Sequence, residues 1–289
     1  MAGNTYLVFT PEVWSPRIDE YFKKKLHAAN HFLNFSNEVA QGGDTVHIPK
    51  IGDSFSGTAI AQTTGAVTKT ALQDTSTTLL INAWYASRVR ITDFQLAQVA
   101  ASYNLKDAYA RAMAQDLGEI FDRQLLGQAS SLSPYVNDTI TALCATDLQG
   151  AIRLTESYYI PKDNLVWFFT PKAYWNEIML NDKYSDMSKF GASILKDGTQ
   201  DLLYGIPVVI TDQLPLYSAT SAKRINLLVA KNALCYAFCN LPGGVPSGVR
   251  ITEVPNAGGE MRTEITADIG YGVKIMNAYH GVKIYSTGS

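Results

Sequence analysis

The sequence predicts an α+β protein, and three stretches carry that prediction. Asn104 to Ala129 reads as one long amphipathic helix. Gly52 to Thr78 is a polar, β-branched segment between two strands. Val249 to Tyr285 reads as a strand-rich meander. The chain has 289 residues, enough for two domains or one elaborated domain, and its 46% hydrophobic content permits a sizeable core.

Charged residues make up 17% of the chain, low for a free-standing protein, and with 16 tyrosines this implies a surface that partners cover. The formal net charge is −2, and the basic run Lys23-Lys24-Lys25 stands alone. A protein that grips nucleic acid carries a basic footprint, which is missing here. Cys144, Cys235 and Cys239 form an odd set without zinc spacing, so buried, unpaired thiols are expected. The N-terminus shows no charged-then-apolar signal pattern, and no apolar run approaches ~18 residues. A chain made and folded in a cytoplasm is the expectation.

Taken in order, Met1 to Thr10 is a short apolar arm. Ser15-Pro16 starts a helix with Ser as N-cap and Pro at the first position, and Ile18, Phe22 and Leu26 form its apolar line. Gly42 to Pro49 is a turn followed by a strand. The Gly52–Thr78 segment is dense in Thr, Ser, Gly and Ala, and its larger apolar residues are Phe55, Ile60, Val67 and Leu72. A strand over Thr78 to Trp84 follows, so the simplest picture is a long hairpin. An isolated hairpin is marginal in water, which points to support from another subunit, with a flexible lid as the competing reading. Thr92-x-x-Gln95 is a capping box ahead of the long helix.

In that helix Asn104 can act as N-cap. Tyr109, Met113, Leu117 and Phe121 recur at steps of four and share one face, expected to meet the core. Gly118 interrupts the run. About 24 helical residues make a rod of roughly 36 Å. Beyond Pro134 helix and strand alternate. Asp147 to Tyr158 is helical. Leu165 to Phe169 is a continuous apolar strand, expected to be buried on both faces. Thr170-Pro171 caps the next helix, with Tyr174 and Ile178 inward. Leu202 to Ile210, Arg224 to Ala230 and Cys235 to Cys239 are strands, and Leu241 to Gly248 is a Pro/Gly connector. In the tail, Val249 to Val254 is followed by Met261 to Ile269, with Met261, Thr263, Ile265 and Ala267 alternating against polar neighbours. Tyr271 to Ile275 and Gly281 to Tyr285 end the meander.

Motifs for chemistry are sparse. The P-loop, the dinucleotide-binding glycine fingerprint and the zinc-protease helix motif do not occur. His27 and His31 are four apart without an acidic third ligand. Ser193 and Lys196 fit a serine-nucleophile spacing, but its companion elements are missing. Asp182, Lys183 and Asp186 lack the spacing of a calcium loop. No cofactor and no catalytic or metal-binding set is assigned.

The order of parts resembles the major capsid protein of tailed phages, the Hong Kong 97 fold. Phe9-Thr-Pro-Glu-Val-Trp-Ser15 is similar to the opening of many such proteins, and Gly43 to Pro49 to the strand entering their extended loop. Asn104 to Ala129 sits where the spine helix belongs. Leu203 to Val209 with Leu214-Pro215 resembles a motif of the axial domain, and Tyr271-Gly272-Val273 the last strands of the peripheral domain. The resemblance covers nearly the whole chain, and the order and spacing of the motifs carry it.

The resemblance implies an N-terminal arm over 1–42, an extended β-hairpin loop over 43–86, a peripheral domain over 87–134 and 248–289, and an axial domain over 135–247. It implies a non-enzymatic virion protein, made in the host cytoplasm, that assembles with itself into pentamers and hexamers of an icosahedral shell around double-stranded DNA, without binding that DNA specifically. A separate scaffold, a portal and cement proteins would be its partners, and no membrane is involved. Phe55, Ile60, Val67, Lys69 and Leu72 of the loop and Tyr6, Val8, Phe9 and Trp14 of the arm would contact neighbouring subunits. Rival readings are an encapsulin-type compartment shell and an α+β hydrolase whose 50–80 segment is an active-site lid.

Overall fold

The computed structural model describes residues 26, 28–40, 42–50, 74–94, 105–137, 141–179, 202–217, 224–242 and 248–287. The helix start at Ser15-Pro16, His27, Gln95, Asn104 and the 182–196 motifs lie outside these residues, as do the loop and arm contact residues expected above.

The strands, in chain order, are β1 (Leu33–Asn34), β2 (Thr45–Lys50), β3 (Thr75–Leu80), β4 (Ala83–Thr92), β5 (Tyr135–Val136), β6 (Leu165–Phe169), β7 (Leu202–Leu203), β8 (Ile206–Ile210), β9 (Asn226–Ala230), β10 (Leu234–Phe238), β11 (Arg250–Pro255), β12 (Arg262–Ile275) and β13 (Gly281–Ile284). One sheet runs β1-β10-β12-β11, with β4 also paired to β12. A second runs β5-β13-β9-β6-β8-β7, and β2 and β3 form a hairpin.

The first sheet is built around β12. Its start and middle pair with β11, from Pro255↔Thr263 to Arg250↔Asp268, and with β4, from Thr92↔Arg262 to Ala83↔Tyr271. Its end runs past β11 and takes β10, from Phe238↔Tyr271 to Leu234↔Ile275. The long helix, Leu105–Gly127, packs on β12, β4 and β10 and continues into a 3-10 turn, Gln128–Ser131. Met113, Leu117, Phe121, Leu125 and Leu126 close the core between helix and sheet with Ile265, Ala267, Ile269 and Tyr271.

In the second sheet β6 lies between β8, to which it is parallel, and β9, to which it is antiparallel. All five of its residues are buried. Val166 and Phe168 join the core under the long helix. Leu165, Trp167 and Phe169 join a second core with Leu148 and Ile152 of the helix Ala145–Ser157. Thr170 caps the following turn by accepting from the Ala173 N–H at 3.2 Å, and Tyr174 and Ile178 are buried. Period-two alternation along one strand thus lets a single sheet serve two cores.

Several expectations change. Cys235 to Cys239 was expected with the strands before it, and Gly281 to Tyr285 with the terminal meander; the registers exchange them. β10 joins β12, because β12 outruns β11 and leaves an edge to fill. β13 crosses over and pairs with β9, Gly281↔Val229 to Ile284↔Asn226. The segments expected over Met261 to Ile269 and Tyr271 to Ile275 form one strand, β12, which starts at Arg262 and runs straight through Gly270. The strand expected over Thr78 to Trp84 is divided between β3 and β4 at Ile81-Asn82. Cys144 is exposed because it serves as a cap: it and Asp147 form a reciprocal capping box at the start of Ala145–Ser157.

Candidate functional site

The hairpin root is the first feature that a shell or a lid would need. β2 and β3 are antiparallel from Thr45↔Leu80 to Lys50↔Thr75. Their Val46↔Leu79 pair is buried together with Val39, Cys235 and Ala237. The root is therefore anchored on its own chain. Asp44 O accepts from the Ile81 N–H at 2.8 Å and closes the base. The Lys50 ammonium donates to the Met276 carbonyl, tying β2 to the turn between β12 and β13.

The root crosses β12 at Gly272. A Cβ there would lie 2.2 Å from the Leu80 carbonyl oxygen and 3.1 Å from the Ile81 Cα. Gly272 therefore permits backbone to lie directly on backbone, a use of glycine that does not need positive φ.

The long helix is the second feature. Met113, Leu117 and Phe121 are buried, whereas Tyr109 is 41% exposed. One turn before Met113 the helix has run to the sheet margin, where Lys106 pairs with Glu253 of β11. Phe121 sits among Tyr236, Phe238 and Tyr271, with ring centroids at 5.3, 4.8 and 5.0 Å. Among the described residues the buried Tyr271 hydroxyl has no hydrogen-bond partner, and burial pushes its pKa up. The Tyr236 hydroxyl donates to the Ala29 carbonyl at 2.9 Å, and Asp122 Oδ2 accepts from the Ala28 N–H at 3.2 Å. These bonds, with the parallel pairing of β1 to β10, dock residues 28–34 on the body.

The outer face of the β4–β12–β11 sheet is charged, and sequence inspection did not single it out. Asp268 accepts from Arg250 Nε at 2.9 Å, Arg250 Nη2 at 2.6 Å and Trp84 Nε1 at 3.0 Å. The Arg250 hydrogen bonds outweigh burial and hold the Asp268 carboxyl below the usual carboxylate range. Glu264 is met by Arg90 at 2.8 Å and by Arg88 and Arg262 at 3.4 Å. Beside these ion pairs stand exposed apolar side chains: Trp84 at 69%, Phe94 at 72% and Met261 at 82%. Met261 was expected in the alternating run with Thr263, Ile265 and Ala267. It lies one residue before β12 begins, where its backbone carbonyl accepts from the Asp93 N–H at 3.2 Å. The exposed Trp84 ring set among these ion pairs has the anatomy of a protein–protein interface.

Among the described residues no three His, Cys, Asp or Glu side chains group as metal ligands. His31, half of the expected histidine pair, packs edge-on to Phe168 with centroids 5.6 Å apart. Among the described residues no helix is long and apolar enough to cross a membrane.

No protein-family model matches the chain, and no curated protein sequence matches it. Solved structures do. One from Mycobacterium phage Che8 superposes with a TM-score of 0.79 at 18% identity, covering 99% of this chain and 100% of that one. The capsid structure of Cyanophage P-SCSP1u gives 0.77 at 14% identity, over 98% of this chain and 94% of that one. The Cyanophage Pam1 capsid gives 0.70 at 14% identity over the whole of both chains. At these identities the likeness is one of fold. The chain has the α+β fold of phage capsid proteins, the Hong Kong 97 type expected above.

Proposed function

We propose that this chain is the major capsid protein of a tailed phage, a non-enzymatic subunit that assembles with copies of itself into an icosahedral shell around double-stranded DNA. One observation carries the reading: phage capsid structures superpose on this chain from end to end, with little left over on either side. A lid-bearing hydrolase would bring unmatched elements to build its active site. The interface-like outer face and the anchored hairpin root support the same reading.

In this proposal the second sheet and its helix belong to the axial domain that gathers around capsomer axes. The long helix and the β12 sheet form the peripheral domain. The hairpin reaches a neighbouring subunit through Phe55, Ile60, Val67, Lys69 and Leu72, and the arm clasps another through Tyr6, Val8, Phe9 and Trp14. A separate scaffold, a portal and cement proteins act with it, and assembly takes place in the host cytoplasm. DNA is confined by the wall and not held by it.

The test is a loop exchange. Replacing Gly57–Thr70 with Asn-Gly removes polar, β-branched sequence and supplies a turn that two-residue hairpins favour. The Val46↔Leu79 anchor stays in place. The expected result is a protomer with a nearly unchanged melt that fails to form closed shells under the electron microscope. Normal shells of normal stability refute the intersubunit role of the loop. Shells filled with enzyme instead of DNA indicate a cargo compartment.

A further inference from the structure

The turn between β12 and β13 holds a titratable group, His280. Met276 N donates to the Ala233 carbonyl at 2.7 Å, and Ala230 N donates to the His280 carbonyl at 2.9 Å, so Met276 to His280 is pinned against the turn before β10. His280 Nδ1 lies 2.9 Å from Asn232 Oδ1. With that oxygen accepting, Nδ1 carries the proton of the neutral ring, and Nε2 is left to take a second one. The Lys50 ammonium is seated on the Met276 carbonyl at the other end of the same turn.

The surroundings are cationic. Lys50 acts on His280, and Lys50 and Lys274 both act on the buried Cys235 thiol, which burial nevertheless pushes up to about 11. From the turn before β10 come Lys231 and Asn232. From the end of the helix Ala145–Ser157 comes Tyr158, which pairs with Tyr279 at 5.3 Å, and Glu156, already engaged by Lys162 at 3.0 Å. Burial first, and Lys50 second, hold the His280 imidazole below its ordinary 6.5.

We propose that His280 is a proton-sensitive latch on the root of the β2–β3 hairpin: neutral, it leaves Lys50 seated on the Met276 carbonyl; protonated, it places a second cation in the same turn and drives Lys50 off. The sign follows from linkage. A histidine held neutral by the fold leaves stability intact above pH 6.5, and stability falls as the pH drops below that value. Lys50 is the last residue of β2 before the loop, so its release loosens the end of the hairpin nearest the loop and leaves the Val46↔Leu79 anchor in place. A device of this kind lets acidity change the loop's freedom without unfolding the protomer. It does not rest on the shell reading, because it is read on the isolated protomer.

The experiment is hydrogen exchange with mass spectrometry on the protomer across the mildly acid range, expressed as protection so that the intrinsic pH effect on exchange cancels. Peptides from β2 and β3 are compared with peptides from β12 as an internal reference. Wild type is expected to lose hairpin protection severalfold as the pH falls through the imidazole range, while β12 stays protected. His280→Gln should hold its protection at both ends of that range. Lys50→Met should be loose at both. His47, on β2 beside Thr78 at 3.4 Å, is the hairpin's own histidine, so His47→Gln is the control and should behave as wild type. If His280→Gln keeps the wild-type pH response, or if His47→Gln abolishes it, the latch is wrong. A His280→Gln protein that no longer folds would show equal loss in β12; the Lys50→Met arm then decides, since a pH response surviving there also overturns the proposal.

Discussion

Gly272→Ala tests how the hairpin meets the body. A Cβ at this position would stand 2.2 Å from the Leu80 carbonyl oxygen, 2.9 Å from its carbon and 3.1 Å from the Ile81 Cα. All three are backbone atoms, so no side chain can rotate out of the way. Ordinary contact begins at 3.4 Å, so the Leu80 carbonyl must retreat by about 1 Å through a close-packed region. That carbonyl is not free to do so: Leu79 beside it is fully buried, and Ile81 N is bonded to Asp44 O at 2.8 Å. Overpacking of this kind costs about 1–3 kcal/mol, or roughly 2–12 °C in melting temperature for a domain of this size. The control is Gly127→Ala at the end of the long helix, where φ is −58° and an added Cβ meets nothing within 4 Å. There the same chemical change should stabilise by up to about 1 kcal/mol. Differential scanning fluorimetry and calorimetry of both variants provide the comparison. If Gly272→Ala melts with the parent, the backbone crossing does not exist as described.

Phe121→Ala empties the space between Tyr236, Phe238 and Tyr271 and should cost about 3–5 kcal/mol, seen as a lower denaturant midpoint and a loss of soluble protomer. Asp268→Asn leaves the Arg250 guanidinium facing a neutral amide and should lower the melting temperature at neutral pH. Because Asp268 ionises more readily in the fold than its ordinary 3.8, its contribution is present above that value and is lost as the pH falls below it, so the variant should show a flatter acid limb in melts taken across that range. The near-neutral chain should bind duplex DNA weakly at physiological salt; submicromolar binding with a steep salt slope in an anisotropy titration would contradict confinement by the wall.

The parts of the fold that the sequence announced are those written in local periodicity. Met113, Leu117 and Phe121 sit four apart and point to one core, and five consecutive apolar residues, Leu165 to Phe169, have the length of a strand covered on both sides. Periodicity says nothing about where the covering element stops. Tyr109 continues the same stripe but is left exposed, and Met261 continues the alternation of β12 one residue before the strand starts. Partner choice is non-local and was misjudged: β10 and β13 are both short apolar strands, and nothing in either segment says that one pairs with β12 and the other with β9. Gly272 shows the same limit from another side, since a glycine in a strand signals a bend, a bulge or a crossing alike, and what crosses lies nearly 200 residues earlier in the chain.

These departures are not scattered. Tyr109, Met261, Trp84 and the Arg88–Arg90–Glu264 group lie at the margin or on the outer face of one sheet, and Gly272, Leu80 and Lys50 lie where the hairpin crosses it. Local rules describe how a chain covers its own core. They go silent where a segment is set to meet something remote, whether a distant stretch of the same chain or another molecule. In the proposed shell subunit those two kinds of contact would share a surface, with the hairpin rooted on the body that receives its counterpart. A hairpin rooted by one buried pair, one backbone crossing and one lysine on a carbonyl can keep its root while its outer part stays available to a neighbour. The local pattern breaks down where the hairpin meets the body, because the residues there answer to a distant stretch of the same chain.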